Sequence, residues 1–130
     1  MKRTYKSVNV YDATQERIAF IFEKFDRIYL SFSGGKDSGV MLNLFLKYMR
    51  ENGIKQKIGV MILDNEANYT QSLEFMHLII RANLDLLDVY WCCLPITLPC
   101  TVSHYEIDWQ CWGEGDRERW IRPMPDDRVS

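Results

Sequence analysis

The chain is short of several things that mark whole classes of protein. Its 16 basic and 18 acidic residues leave a net charge of only −2. A balance that close gives no general pull toward nucleic acid or anionic lipid, although local basic patches stay open and nucleic acid is not indicated. No apolar run approaches the ~18 residues of a membrane span. The basic start Met1-Lys2-Arg3 has no apolar segment behind it, so a secretory leader is not expected and the expected compartment is the cytoplasm. No two of the four cysteines (Cys92, Cys93, Cys100, Cys111) stand in Cys-x-x-Cys spacing, which excludes the usual zinc and thioredoxin-type patterns. In the cytoplasm they are expected as reduced thiols. Neither Gly-x-x-x-x-Gly-Lys-Ser/Thr nor Gly-x-Gly-x-x-Gly occurs. Counting back from Gly35-Lys36 puts Leu30 where a Walker loop needs its first glycine, and Asp37 follows where it needs Ser or Thr.

What is present is a single domain of 130 residues, 47% hydrophobic, with no repeats or low-complexity segments. Asp12 and Gln15 read as a capping box opening a helix that carries Ile18, Phe22 and Phe25 on one face and ends near Asp26. A short strand over 27–32 follows. Residues 39–49 read as a helix with Met41, Leu42, Phe45 and Met49 toward the sheet, closed by Gly53 at C′. The unbroken apolar run 58–63 reads as a parallel strand covered on both faces. A helix over 70–82 presents Leu73, Met76 and Ile80 to the core, and 86–93 forms a third strand. Helix-length crossovers between strands predict an α/β fold, half of a doubly wound parallel sheet. From Pro95 to Ser130 the pattern dissolves into an irregular tail rich in tryptophan and proline, with no strand predicted.

The chemistry centres on Ser33-Gly34-Gly35-Lys36-Asp37-Ser38, between the first strand and the second helix. Two glycines let bare backbone amides approach a ligand, and the helix N-terminus points its dipole at the same spot. Lys36 adds a charge, and the serines add hydroxyls. An anion of phosphate size fits such a loop. Ligands of open parallel sheets bind beyond the carboxyl ends of the strands. That places Asp64 and Glu66, after the second strand, as candidates for Mg²⁺ or a ribose hydroxyl; a solvated turn is the alternative. Asp37 either caps the helix, orients Lys36 or meets Mg²⁺ through water. His77, on a helix, reads as structural, and His104 in the tail is better placed for chemistry. The tail aromatics, Tyr105 to Trp120, either stack on a base or, more simply, bury against the sheet. Arg117, Arg119 and Arg122 either bind an anion or pair with neighbouring acids.

Ser33 to Ser38 resembles the pyrophosphate (PP) loop of the ATP-pyrophosphatase and phosphoadenosine phosphosulfate (PAPS) reductase superfamily. Asp64-Asn65-Glu66, Tyr90-Trp91-Cys92-Cys93-Leu94-Pro95 and Trp109-x-x-Trp112 resemble its PAPS reductase-like branch. That branch includes the immunoglobulin-binding regulator A proteins of enterobacteria and their phage-borne relatives. The resemblance covers roughly residues 14 to 125. It implies a three-layer α/β/α fold of the adenine nucleotide alpha hydrolase type and the binding of ATP or an adenylyl sulfate. Reaction would fall at an α-phosphate or sulfonyl group. Ser33, Gly34, Gly35, Lys36, Asp37 and Ser38 would hold the phosphates, Lys36 and Asp37 would be catalytic, and Asp64 would lie beside the nucleotide. Mg²⁺ would accompany ATP, with Asp64 and Glu66 as its ligands. Some members hold an iron–sulfur cluster, but adjacent Cys92 and Cys93 on one strand point to opposite faces, so buried thiols are expected instead. The Glu-Cys-Gly-x-His motif of sulfate-reducing members is absent, which argues against thioredoxin-dependent reduction. Family sheets are larger and keep their first strand central, so a protein partner or a second copy is expected to complete this one. A non-catalytic nucleotide-binding regulatory module is the alternative reading.

Overall fold

The computed structural model describes residues 7–66, 68–98, 109–112 and 128–129. Its first helix, α1 (Val10–Lys24), starts earlier than the capping box suggested. Asn9 is the N-cap, its side chain accepting the Asp12 amide at 2.9 Å, and Asp12 sits in the first turn, where the helix dipole favours it. Ile18 is buried and Phe22 packs on Phe45 and Tyr48. Phe25 is exposed, a correction to the sequence reading: the helix has ended, Phe25 is its extended C-cap, and its side chain leaves the helical stripe.

Strand β1 (Tyr29–Ser31) leads to α2 (Lys36–Glu51), β2 (Ile58–Leu63), α3 (Thr70–Arg81) and β3 (Leu87–Cys92). Leu42, Phe45, Leu46 and Met49 form the buried stripe of α2 at helical spacing. Met41, expected toward the sheet, falls off the edge of that stripe and is exposed. Gly53, at φ 63°, closes the helix as expected, and the Ile54 amide returns to the Met49 carbonyl at 2.9 Å. On α3 the expected residues Leu73, Met76 and Ile80 are the buried ones.

β1, β2 and β3 pair in parallel in chain order, Tyr29 opposite Gly59 and Met61 opposite Tyr90. Three further short strands lie in the region where none was predicted: β4 (Ile96–Leu98), β5 (Trp109–Cys111) and β6 (Arg128–Val129). β4 and β5 pair antiparallel, and β6 returns as a parallel neighbour of β3, giving the order β1-β2-β3-β6. Strands of two or three residues leave too little alternation to be read from sequence. Among the described residues, β1 stands at the end of the sheet.

Right-handed crossovers taken in one direction put α2 and α3 on the same face, and α1 packs beside α2. The core lies between these helices and one side of the sheet, with Leu30, Phe32, Val60, Ile62, Leu87 and Trp91 pointing into it. Met61 and Leu63 alternate outward and are exposed, as are Tyr29 and Tyr90. Among the described residues the continuous run of β2 is therefore covered on one face, where the sequence reading expected two. A run of apolar side chains records what a strand can bury, and its neighbours decide what it does bury.

Candidate functional site

Pairing between β1 and β2 ends with the Phe32 amide donating to the Met61 carbonyl at 2.9 Å. The chain then turns at Gly34, where φ is 73°. A Cβ here would sit 2.9 Å from Met76 Cγ on α3, so both the backbone and the packing require glycine. Gly35 is the N-cap of α2 with no side-chain cap bond, so no capping side chain occupies the helix's first-turn amides. Sixteen helical residues stand behind that end.

A ring of hydrogen bonds fixes the loop. The Gly35 amide donates to Ser33 Oγ at 3.4 Å, the Ser33 and Ser38 hydroxyls meet at 3.0 Å, and Ser38 Oγ donates to the Gly35 carbonyl at 3.1 Å. With Ser38 donating to that carbonyl, Ser33 supplies the proton between the hydroxyls. Lys36 and Asp37 are exposed beside the ring, and Asp37 lies in the first helical turn. The six residues singled out from sequence thus form one braced turn, Ser33, Gly34 and Gly35 leading into Lys36, Asp37 and Ser38 of the first turn of α2.

β1 and β2 run in parallel, so the loop after β1 and Asp64 after β2 leave the same end of the sheet. Asp64 and Glu66 are brought beside the loop's strand, yet both are buried. Asp64 Oδ2 accepts Trp91 Nε1–H at 2.7 Å and Oδ1 accepts the Glu66 amide at 2.9 Å. The Asp64 carbonyl accepts Trp112 Nε1–H at 2.6 Å, and Glu66 Oε2 accepts the Trp112 amide at 2.7 Å. Glu66 and Trp112 both hold positive φ, 60° and 53°, a backbone cost for residues with a Cβ. These carboxylates tie the residue after β5 to the ends of β2 and β3. Three of their carboxylate oxygens, Asp64 Oδ1 and Oδ2 and Glu66 Oε2, accept protein N–H groups, and Asn68 Nδ2 also donates to Asp64 Oδ1 at 3.5 Å. Among the described residues no group of three or more His, Cys, Asp or Glu side chains is arranged to hold a metal ion.

Trp112 is buried, as the simpler reading of the tail aromatics expected; what sequence reasoning missed is that Trp91 and Trp112 are the donors that Asp64 and Glu66 accept. A buried indole carries one N–H that needs an acceptor. Trp91 and Trp112 in a chain with acidic residues at a strand end were a usable signal. His77 stacks flat on Trp91, ring centres 4.4 Å apart and planes within 8°, in line with its structural reading. Cys93 and Cys111 are buried and Cys92 is half-buried. Burial, and secondarily the negative charge of Asp64, push the Cys111 thiol above its ordinary pKa. Cys100, His104, Arg117, Arg119, Arg122 and Trp120 lie outside the described residues, as does the Trp109 side chain. No described helix is long and apolar enough to cross a membrane.

No protein-family model matches the chain. Over 124 residues, 95% of its length, it is 36% identical to the uncharacterized protein YbdN of Escherichia coli K12. The chain spans 30% of that protein's length. What it resembles is one part of a much longer bacterial protein.

Proposed function

We propose that the chain is an adenine-nucleotide-binding domain of the PP-loop type, taking ATP or an adenylyl sulfate and acting at an α-phosphate or sulfonyl group. The observation that carries this reading is the braced loop at Ser33–Ser38: an uncapped N-terminus of a long helix, a glycine at positive φ and a lysine at the mouth. In such a loop the amides at the start of α2 receive phosphate oxygens, and Lys36 offsets the charge that develops on the transferred or leaving group. Asp37 is the exposed carboxylate of this turn and would orient Lys36 or help hold Mg²⁺. Mg²⁺ would supply further charge neutralisation when bound with ATP, and no step is assigned to it.

The second reading is a nucleotide-binding regulatory module that works with a partner protein. Its support is the exposure of Met61 and Leu63 on one face of the sheet and the position of β1 at its end among the described residues, which leave the loop at a border. In either reading the three-layer architecture is completed by polypeptide on that face. The test is equilibrium binding of ATP with Mg²⁺ together with pyrophosphate release, for the natural chain and for Lys36→Ala. Release that depends on Lys36 supports the enzyme; binding that depends on Lys36 without release, whatever acceptor is supplied, assigns the regulatory module. No binding at all rejects both.

A further inference from the structure

The ring of hydrogen bonds that braces the Ser33–Ser38 turn passes over Gly34. Its bonds are made by Ser33, Gly35 and Ser38, and none by Gly34 itself. The Ser33 and Gly35 amides reach their hydroxyl acceptors only at 3.3 Å and 3.4 Å, which is long for such bonds. Glycine also has more backbone freedom to lose than any other residue. Peptide units are rigid, so a change in φ at Gly34 swings the plane that carries its own N–H against the plane that carries the Gly35 N–H. The two amides keep their aim only while φ stays at 73°.

What meets Gly34 from outside the turn is α3. A Cβ built on it would lie 2.9 Å from Met76 Cγ, 3.2 Å from Met76 Sδ and 3.5 Å from the Ser72 carbonyl oxygen. The glycine therefore rests on one methionine side chain. At a surface methionine is too pliant to serve as a stop. Met76 is 2% exposed, and a close-packed interior leaves it no room to swing aside.

The neighbours of Met76 in sequence pin the helical turn from which it projects. Phe75 packs on Phe32 with ring centres 6.5 Å apart, and the Phe32 amide makes the last bond between β1 and β2 before the loop. His77 stacks on Trp91, whose indole N–H is accepted by Asp64. Consecutive residues of α3 thus meet the end of β1, the loop and β3. The support under Gly34 is part of a fixed frame.

We propose that Met76 is the positioning residue of the Ser33–Ser38 turn: it holds Gly34 at its left-handed angle and so sets the aim of the Gly34 and Gly35 amides. It acts through the backbone it supports rather than on a ligand. The consequence for affinity rests on the nucleotide reading; the consequence for the backbone does not.

The test compares Met76→Ala, Met76→Leu and Ile80→Ala, by amide NMR spectra of the ligand-free chain and by calorimetric titration with ATP and Mg²⁺. Ile80 lies on the same buried stripe, one turn farther along α3, and is not among the atoms nearest Gly34. Both alanine variants open a cavity and lose stability. Only Met76→Ala should move the Gly34 and Gly35 amide resonances, with Gly53 at the other end of α2 as the unmoved reference. The same variant should weaken ATP binding about tenfold. Met76→Leu nearly conserves the volume, and should restore both resonances and bring the affinity back to within about twofold. Met76→Val keeps a branched stem without the thioether end, and takes the place of Met76→Ala if that variant does not fold. Unmoved Gly34 and Gly35 resonances, an equal displacement in Ile80→Ala, or moved resonances with unchanged ATP affinity would each overturn the proposal. A natural chain that binds no ATP rejects the nucleotide reading instead, and the spectra then decide the positioning role alone.

Discussion

The ends of β1 and β2 are neighbours at the same height in the sheet, and they are built in opposite senses. After β1 the chain presents amides, hydroxyls and Lys36 outward, and its hydrogen bonds are spent on holding the loop's own shape. After β2 it presents two carboxylates inward, and their hydrogen bonds hold other parts of the chain. Both ends are polar, and both sit where ligands of parallel sheets bind. The difference is the cover: Trp112 lies over the second and nothing described lies over the first. A polar residue at a strand end is thus a ligand candidate only if its donors and acceptors have not been claimed by the fold.

That contrast can be broken by mutation, and the closed end should give the largest effect. Trp91→Ala removes a wholly buried indole and the donor to Asp64, and should cost about 3–5 kcal/mol in a urea titration. Asp64→Ala leaves the Trp91 N–H buried without its acceptor and should cost about 1–3 kcal/mol. A variant as stable as the natural chain would mean that the carboxylate is kept for a ligand after all. Gly34→Ala belongs to both ends. Left-handed backbone with a Cβ costs about 1–2 kcal/mol, Met76 must also shift, and ATP binding should weaken with it. Lys36→Ala should leave the urea midpoint almost unmoved, within about 0.5 kcal/mol, while lowering ATP affinity about 10- to 100-fold by calorimetry, the worth of one charge-assisted contact.

The smallest effect is in pH. Folding raises the Cys111 pKa, so the native state holds that proton more tightly. Its contribution is complete below the ordinary thiol value of 9.0 and declines as pH rises past it. Cys111→Ser should flatten the fall in stability measured between about pH 8 and pH 10.

Much of the fold was legible because local rules decided it. The apolar stripe of α3 and the glycine ending α2 follow from helical period and left-handed backbone, and both lie where the sequence puts them. The six loop residues were legible for the same reason, since tight turns and helix starts are local. The partners of Asp64 and Glu66 were not, because Trp91 and Trp112 lie 27 and 46 residues away in the chain. Phe25 failed at the end of α1 and Met41 at the edge of the buried stripe of α2, where a shift of one residue moves a side chain off the core face. The one-sided burial of β2 was hidden for a deeper reason: its apolar side chains are the same whether the second cover is present or absent.

The strand order has a consequence for how the chain forms. Because β1, β2 and β3 are neighbours in sequence as well as in space, each pairing closes over one intervening helix. Short loops of this kind cost less entropy to close and are reached early. During synthesis, where domains assemble from the N-terminus onward, the Ser33–Ser38 loop can be shaped once β2 and α3 are available to brace it. The braced loop would then be in place before the tail and β6 arrive to finish the far side of the sheet.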